Sequence, residues 1–322
     1  MSGDRIAGAV IGLAVGDAAG WPAARHRAAL HAPWSRRLHR ELDAFAEEHR
    51  VTTLPVPFAL NQPTAPLAVG PSDDAEWLAW TLLTMGTPRA GAFRALVGRD
   101  DIRARVSVAT ALDNLARGVE PPASGHDNPH HFDDAAAVRA VAYGLRGAAP
   151  DEDAQVTNAG DGLLGARAVA AAVAEAVATG SAAKAVSAAL AVLPEDTAIG
   201  HNARLALAAA RAAGDPFGAV PALDAALLDH VYSYGVGAAL TVPAALALTE
   251  VSGGELGRAV PAAACLAALA DSAPALTGAL TGACGGYGAI PEGWITPART
   301  LAGCCLPELA GKDLIELLKG LS

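Results

Sequence analysis

Aromatic side chains are scarce in this chain: Phe, Tyr and Trp together make up 4% of its 322 residues. Charge is scarce as well, at 17%, and 23 Lys plus Arg against 33 Asp plus Glu leave a formal net charge of −10. That balance excludes a general binder of nucleic-acid backbone, which needs a basic surface. Cysteine is confined to Cys265, Cys284, Cys304 and Cys305, without a Cys-x-x-Cys pair. The spacing excludes a zinc knuckle or a disulfide framework and leaves reduced, buried or incidental thiols. The hydrophobic fraction is 52%, with alanine its largest part, and this excludes a disordered chain. Alanine is the strongest helix former and β-branched residues are comparatively few, so an all-α protein with closely packed helices is the first expectation.

The apolar stretch that ends near Gly16 runs straight into Asp17, without the cleavage pattern of a secretory leader. Two Ala-rich stretches, near 163–193 and 258–283, are long enough to raise the question of membrane insertion. Arg167, Glu175, Lys184 and Asp271 interrupt them, and alanine contributes little transfer free energy. The expectation is a soluble cytoplasmic protein with no membrane partner.

Helical patterns cover 4–18, 35–49, 73–86, 90–97, 101–117, 133–146, 161–179, 182–192, 199–213, 221–231, 236–250, 256–269, 272–284 and 307–319. Between them, the proline-rich 50–71 stretch and the 124–132 segment read as irregular. No break in composition and no fixed-period repeat appears, so residues 1–322 are read as one domain.

Four polar clusters interrupt this apolar background. Asp17 sits among small residues at the end of the first helix, as a turn aspartate or a ligand contact. In Ser72-Asp73-Asp74, a helix cap and first-turn acids explain the sequence, and so does a hard oxygen site for a divalent cation. Asp271-Ser272 lies in an apolar run, where a buried carboxylate needs a partner, a cap or a metal. The last cluster gathers His126, His130, His131, Asp133 and Asp134 without regular metal-ligand spacing, which favours solvated or substrate-contacting residues.

Taken in order, these clusters resemble the ADP-ribosylglycohydrolase family. The opening Asp4-Arg5-Ile6-Ala7-Gly8-Ala9 through Gly16-Asp17-Ala18-Ala19-Gly20 looks like the family's start, and Ser72-Asp73-Asp74 is similar to its Thr-Asp-Asp element. Ala136-Ala137-Val138-Arg139 resembles the middle Ala-Met-Arg element. The stretch from Gly278 to Ala283, with Gly288, Ile290-Pro291 and Trp294, resembles the closing signature. The resemblance implies a compact orthogonal helical bundle that hydrolyses an N- or O-glycosidic bond to a ribosyl or ADP-ribosyl group with Mg²⁺ or Mn²⁺.

Carried over, the resemblance implies a metal shell of Ser72, Asp73, Asp74, Asp271 and Ser272, with Asp73, Asp74 and Asp271 catalytic. Two positions depart from the pattern. Leu269 stands where the family's closing element has its first aspartate, and Ala23-Ala24 stand where many members carry an acid. One ion, two ions or none are all compatible with what remains. In a metal-free cluster the carboxylates repel and at least one pKa rises, which equips that group as a general acid. Asp17, His126, Asp133, Asp134, Asp161 and Tyr234 are the candidate substrate contacts, for a ribosyl, nucleoside-like or ADP-ribosyl molecule. A binding protein for ADP-ribose or a nucleotide, with catalysis impaired through Leu269 and Ala24, is the alternative.

Overall fold

The computed structural model describes residues 2–20, 48, 70–228 and 235–319. Of the described residues, 71% are helical. Among the described residues no strand forms, and pairing is limited to two isolated bridges, Asp133 with Gly237 and Thr300 with Asp313. The helix expected over 35–49, the 50–69 part of the proline-rich stretch, Ala23-Ala24 and Tyr234 lie outside the described residues, Glu48 apart.

Helix α1 (Ser2–Gly20) is the axis of the fold. Its glycines recur every fourth residue and form a stripe with no side chains. A Cβ on Gly12 would stand 2.1 Å from the carbonyl oxygen of Gly278, one on Gly8 2.3 Å from that of Gly282, and one on Gly16 1.9 Å from that of Pro274. The two backbones therefore touch, antiparallel, over a run that any larger residue would wedge apart. This register brings the C-terminal end of α1, with Asp17, beside Asp271-Ser272.

Nine helices follow α1 in the order α2 (Asp73–Thr84), α3 (Arg89–Arg94), α4 (Val106–Ala116), α5 (Ala123–His126), α6 (Ala135–Arg146), α7 (Asp151–Thr157), α8 (Asp161–Thr179), α9 (Ala182–Ala191) and α10 (Ala198–Ala213). Then come α11 (Pro216–Leu227), α12 (Ala238–Val251), α13 (Leu256–Ala264), α14 (Ala273–Gly285), α15 (Glu292–Ala298) and α16 (Leu314–Lys319). Of these, α14 is the partner of α1. Helix α8 is long and apolar enough to cross a membrane by length and composition, yet 56% of that stretch is buried inside the molecule. Its close neighbour is α6, where Gly144 leaves room for the Ala170 carbonyl. This is the placement of a core helix.

The 101–117 helix expected from the sequence starts late. Arg105 is extended (φ −63°, ψ 159°) and caps α4 from outside, while the Arg103 amide donates to the Cys305 carbonyl at 2.9 Å. The 256–269 pattern also ends early, at Ala264, and a short 3₁₀ turn (Ala267–Leu269) carries the chain to Asp271. Leu269 is fully buried in the core.

Buried ion pairs lock the frame. Arg139, fully buried, donates to Asp153 Oδ2 at 2.7 Å and to Thr157 Oγ1 at 2.7 Å. Asp153 also receives Arg89 at 2.8 Å, so one carboxylate ties α3, α6 and α7 together. The arginine of the Ala-Ala-Val-Arg element thus holds helices in place.

Candidate active site

Four helices begin at one place. The N-terminal ends of α2, α4, α6 and α14 bring Asp73 and Asp74, Arg105, Asp134, and Asp271 with Ser272 into a single cluster. Each acid lies at a helix start, where the helix dipole favours negative charge. The guanidinium of Arg105 is the hub. Its Nη2 lies 2.9 Å from Asp74 Oδ1 and 3.6 Å from Asp73 Oδ2. Nη1 lies 3.3 Å from Asp271 Oδ2, and Nε 3.5 Å from Asp134 Oδ1. Nη2 also donates to Ser272 Oγ at 2.5 Å. The Arg105 side chain is 7% exposed.

Asp17 supports this cluster from beneath. Its Oδ2 accepts the backbone N–H groups of Ser72 at 2.8 Å and Ala75 at 3.0 Å, and its Oδ1 accepts the Ser72 hydroxyl at 2.6 Å. A carboxylate from α1 therefore caps α2, a job that local sequence would assign to Ser72. Asp133 backs the cluster from the other side. Its Oδ1 accepts from Ser107 Oγ at 2.8 Å and from Asn158 Nδ2 at 2.9 Å, which joins α4, α6 and the α7–α8 turn.

Burial and crowding perturb two of these four carboxyl groups. Burial, and next the charge of Asp73, push Asp74 well above the usual carboxylate range, although Arg105 works the other way. Burial also pushes Asp134 up to about 7, against the pull of Arg105 and with Asp133 adding to the rise. Asp74 Oδ2 is buried without a hydrogen-bond partner among the described residues. Burial disfavours charge on Arg105, but the surrounding aspartates outweigh it and hold the guanidinium charged.

Of the five side chains that the resemblance implies as a metal shell, four are within ion-pair or hydrogen-bond reach of Arg105, and Ser72 donates to Asp17. This donor set does not fit a divalent ion. Metal ligands need deprotonated carboxylates with free lone pairs, whereas these oxygens already face a fixed positive charge. Buried Leu269 supplies no oxygen. A second grouping, Glu76 with Cys304 and Cys305, has metal-like spacing among the described residues. Its carboxylate accepts the backbone N–H groups of Cys304, Cys305 and Leu306 at 2.8, 2.7 and 2.9 Å, and so pins the C-terminal segment to α2.

The remaining candidates stand apart. His126 is exposed on α5, and Asp161 opens α8 and accepts the Ile199 amide at 3.3 Å. His131 Nδ1 pairs with the Asn128 carbonyl at 2.9 Å. The residue that sequence reasoning missed is Arg105. Its only local signal is a basic side chain just before an apolar helix, where an acid or a small polar cap is the usual choice.

Comparison with known proteins gives a family and a fold. The sequence profile described as ADP-ribosylglycohydrolase matches residues 2–321. A solved structure described as an ADP-ribosylglycohydrolase-related protein complex superposes with a TM-score of 0.57 at 19% identity, covering 99% of this chain and 97% of that one, and so shares the fold. No curated protein matches at a significant level. With the profile spanning nearly every residue and the all-α architecture matching, this chain belongs to the ADP-ribosylglycohydrolase family, whose members are hydrolases and typically metal-dependent.

Proposed function

We propose that the chain hydrolyses an N- or O-glycosidic bond to a ribosyl or ADP-ribosyl group at the Arg105-centred cluster. The observation that carries this reading is the placement of carboxylates of different character around one guanidinium. Asp74 is buried, and burial raises its pKa, while Asp73 and Asp271 are the more exposed members, at 8% and 9%. In the proposed step, Asp74 gives its proton to the leaving nitrogen or oxygen as the bond to the anomeric carbon breaks. Water attacks that carbon, and Asp73 or Asp271 takes the proton it loses. Arg105, 2.9 Å from Asp74 Oδ1, stabilises the carboxylate that proton donation leaves behind.

Mg²⁺ or Mn²⁺, which the resemblance implies, enters no step, because Arg105 engages the oxygens that would hold it. The substrate is a ribosyl, nucleoside-like or ADP-ribosyl molecule, met by a soluble cytoplasmic protein without nucleic-acid or membrane partners. A second reading, a binding protein for ADP-ribose or a nucleotide, is favoured by the same Arg105 and by Leu269 in place of an acid.

Two measurements on the purified protein separate the readings. Calorimetry with ADP-ribose reports binding, and chromatography of ADP-ribosylated peptides and nucleosides reports product. Binding with product supports hydrolysis, binding without product supports the second reading, and neither overturns both.

A further inference from the structure

We infer that Arg105 is the built-in cation of this site, a guanidinium standing in for the divalent metal, so that the cluster takes up Mg²⁺ or Mn²⁺ only when that side chain is removed. The inference deepens the proposed function but rests on the placement of Arg105, whatever reaction the site performs.

Three observations carry it. The guanidinium meets Asp73, Asp74, Asp134, Asp271 and Ser272 at once, through all three of its nitrogens. Five N–H donors in one plane can serve several carboxylates as a metal would, and arginine does not lose its proton in a protein. Second, the side chain is held by its backbone. The Arg103 amide donates to Cys305 and the Ala109 amide to the Arg105 carbonyl, at 2.9 Å each, which fixes the chain on both sides of residue 105. Third, swinging the guanidinium out would leave the carboxyl groups of Asp74 and Asp134, 2% and 0% exposed, buried without the donor they face.

A divalent ion among these oxygens would therefore sit within ion-pair distance of a fixed positive charge and be repelled by it. A guanidinium does not acidify bound water as a metal does, so protons must move through carboxyl groups.

The test is a Mn²⁺ titration followed by electron paramagnetic resonance, in which bound Mn²⁺ loses its free-ion signal, paired with thermal unfolding with and without Mn²⁺. Three proteins are compared: wild type, Arg105→Ser and Arg105→Lys. Wild type and Arg105→Lys, which keeps one positive charge, are expected to leave the Mn²⁺ signal and the unfolding temperature unchanged. Arg105→Ser is expected to bind Mn²⁺ roughly a hundredfold more tightly than wild type and to unfold at a higher temperature when the ion is present. If Arg105→Ser folds only when Mn²⁺ is added, the inference is equally supported. Stoichiometric Mn²⁺ uptake by the wild type overturns it, as does an Arg105→Ser protein that gains neither binding nor stability from the ion. Neither outcome depends on glycosidic cleavage, so failure here is distinct from failure of the proposed reaction.

Discussion

Arg105 Nη2 lies 2.9 Å from Asp74 Oδ1, although 31 residues separate the two in the chain and they belong to different helix starts. With Asp271 Oδ2 3.3 Å from Nη1 of the same guanidinium, this contact joins α2, α4 and α14 through one side chain. Removing it leaves several buried carboxylates facing each other. Arg105→Met is expected to cost about 3–5 kcal/mol in chemical denaturation measured without added metal. A loss below about 1 kcal/mol would show that the cluster is not held by this cation.

The contact of α1 with α14 sets two effects of opposite sign against each other. Replacing a mid-helix glycine by alanine gains about 1 kcal/mol from helix propensity. At Gly12 the new Cβ would stand 2.1 Å from a backbone oxygen, and backbone has no rotamer to yield. Overpacking of this kind costs about 1–3 kcal/mol, so Gly12→Ala is expected to lower the unfolding temperature. The exposed Gly91 in α3 meets nothing within 4 Å and serves as the control, with Gly91→Ala neutral or stabilising.

Asp153 receives both Arg89 and Arg139 in the interior, whereas Arg211 and Glu250 pair at the surface with the arginine 59% exposed. Asp153→Asn is expected to cost about 3–5 kcal/mol and Glu250→Gln less than about 1. Equal losses in a denaturant titration would refute the claim that the buried pair locks α3, α6 and α7.

The raised pKa of Asp134 has a definite pH signature. An unfolded aspartate ionises near 3.9, whereas this one ionises at about 7 in the folded state. Above pH 4 the unfolded chain has released this proton and the folded chain has not. The stability that this group contributes is therefore complete below pH 4 and is lost as pH rises toward 7. Asp134→Asn is expected to flatten the stability curve between these limits by up to about 1.4 kcal/mol per pH unit. A curve unchanged by the substitution would show that Asp134 is ionised throughout.

The helices were legible because alanine periodicity, glycine ends and acids at helix starts are local signals, and α8 runs over the residues the pattern marks. The acids of the cluster stand out locally as well: Asp271 interrupts an apolar run, and Asp73-Asp74 and Asp133-Asp134 are paired acids just before apolar helices. What joins them was not. Asp17 reads as a turn residue, yet it caps a helix 55 residues away. Arg105 lies in the charged run Asp100-Asp101-Ile102-Arg103-Ala104-Arg105, which reads as a solvated helix start. Its inward turn depends on an extended backbone fixed by Cys305, from the far end of the chain. Such long-range pairing leaves no periodic trace.

The most direct measurement of the central claim is release of free ADP-ribose from an ADP-ribosylated peptide by the wild-type protein in excess chelator, beside the Asp74→Asn variant. The expected result is product formation at the same rate with chelator as with added Mg²⁺, and a fall of at least about a hundredfold in Asp74→Asn. Product that appears only when Mg²⁺ or Mn²⁺ is supplied, or that Asp74→Asn forms at the wild-type rate, would contradict it.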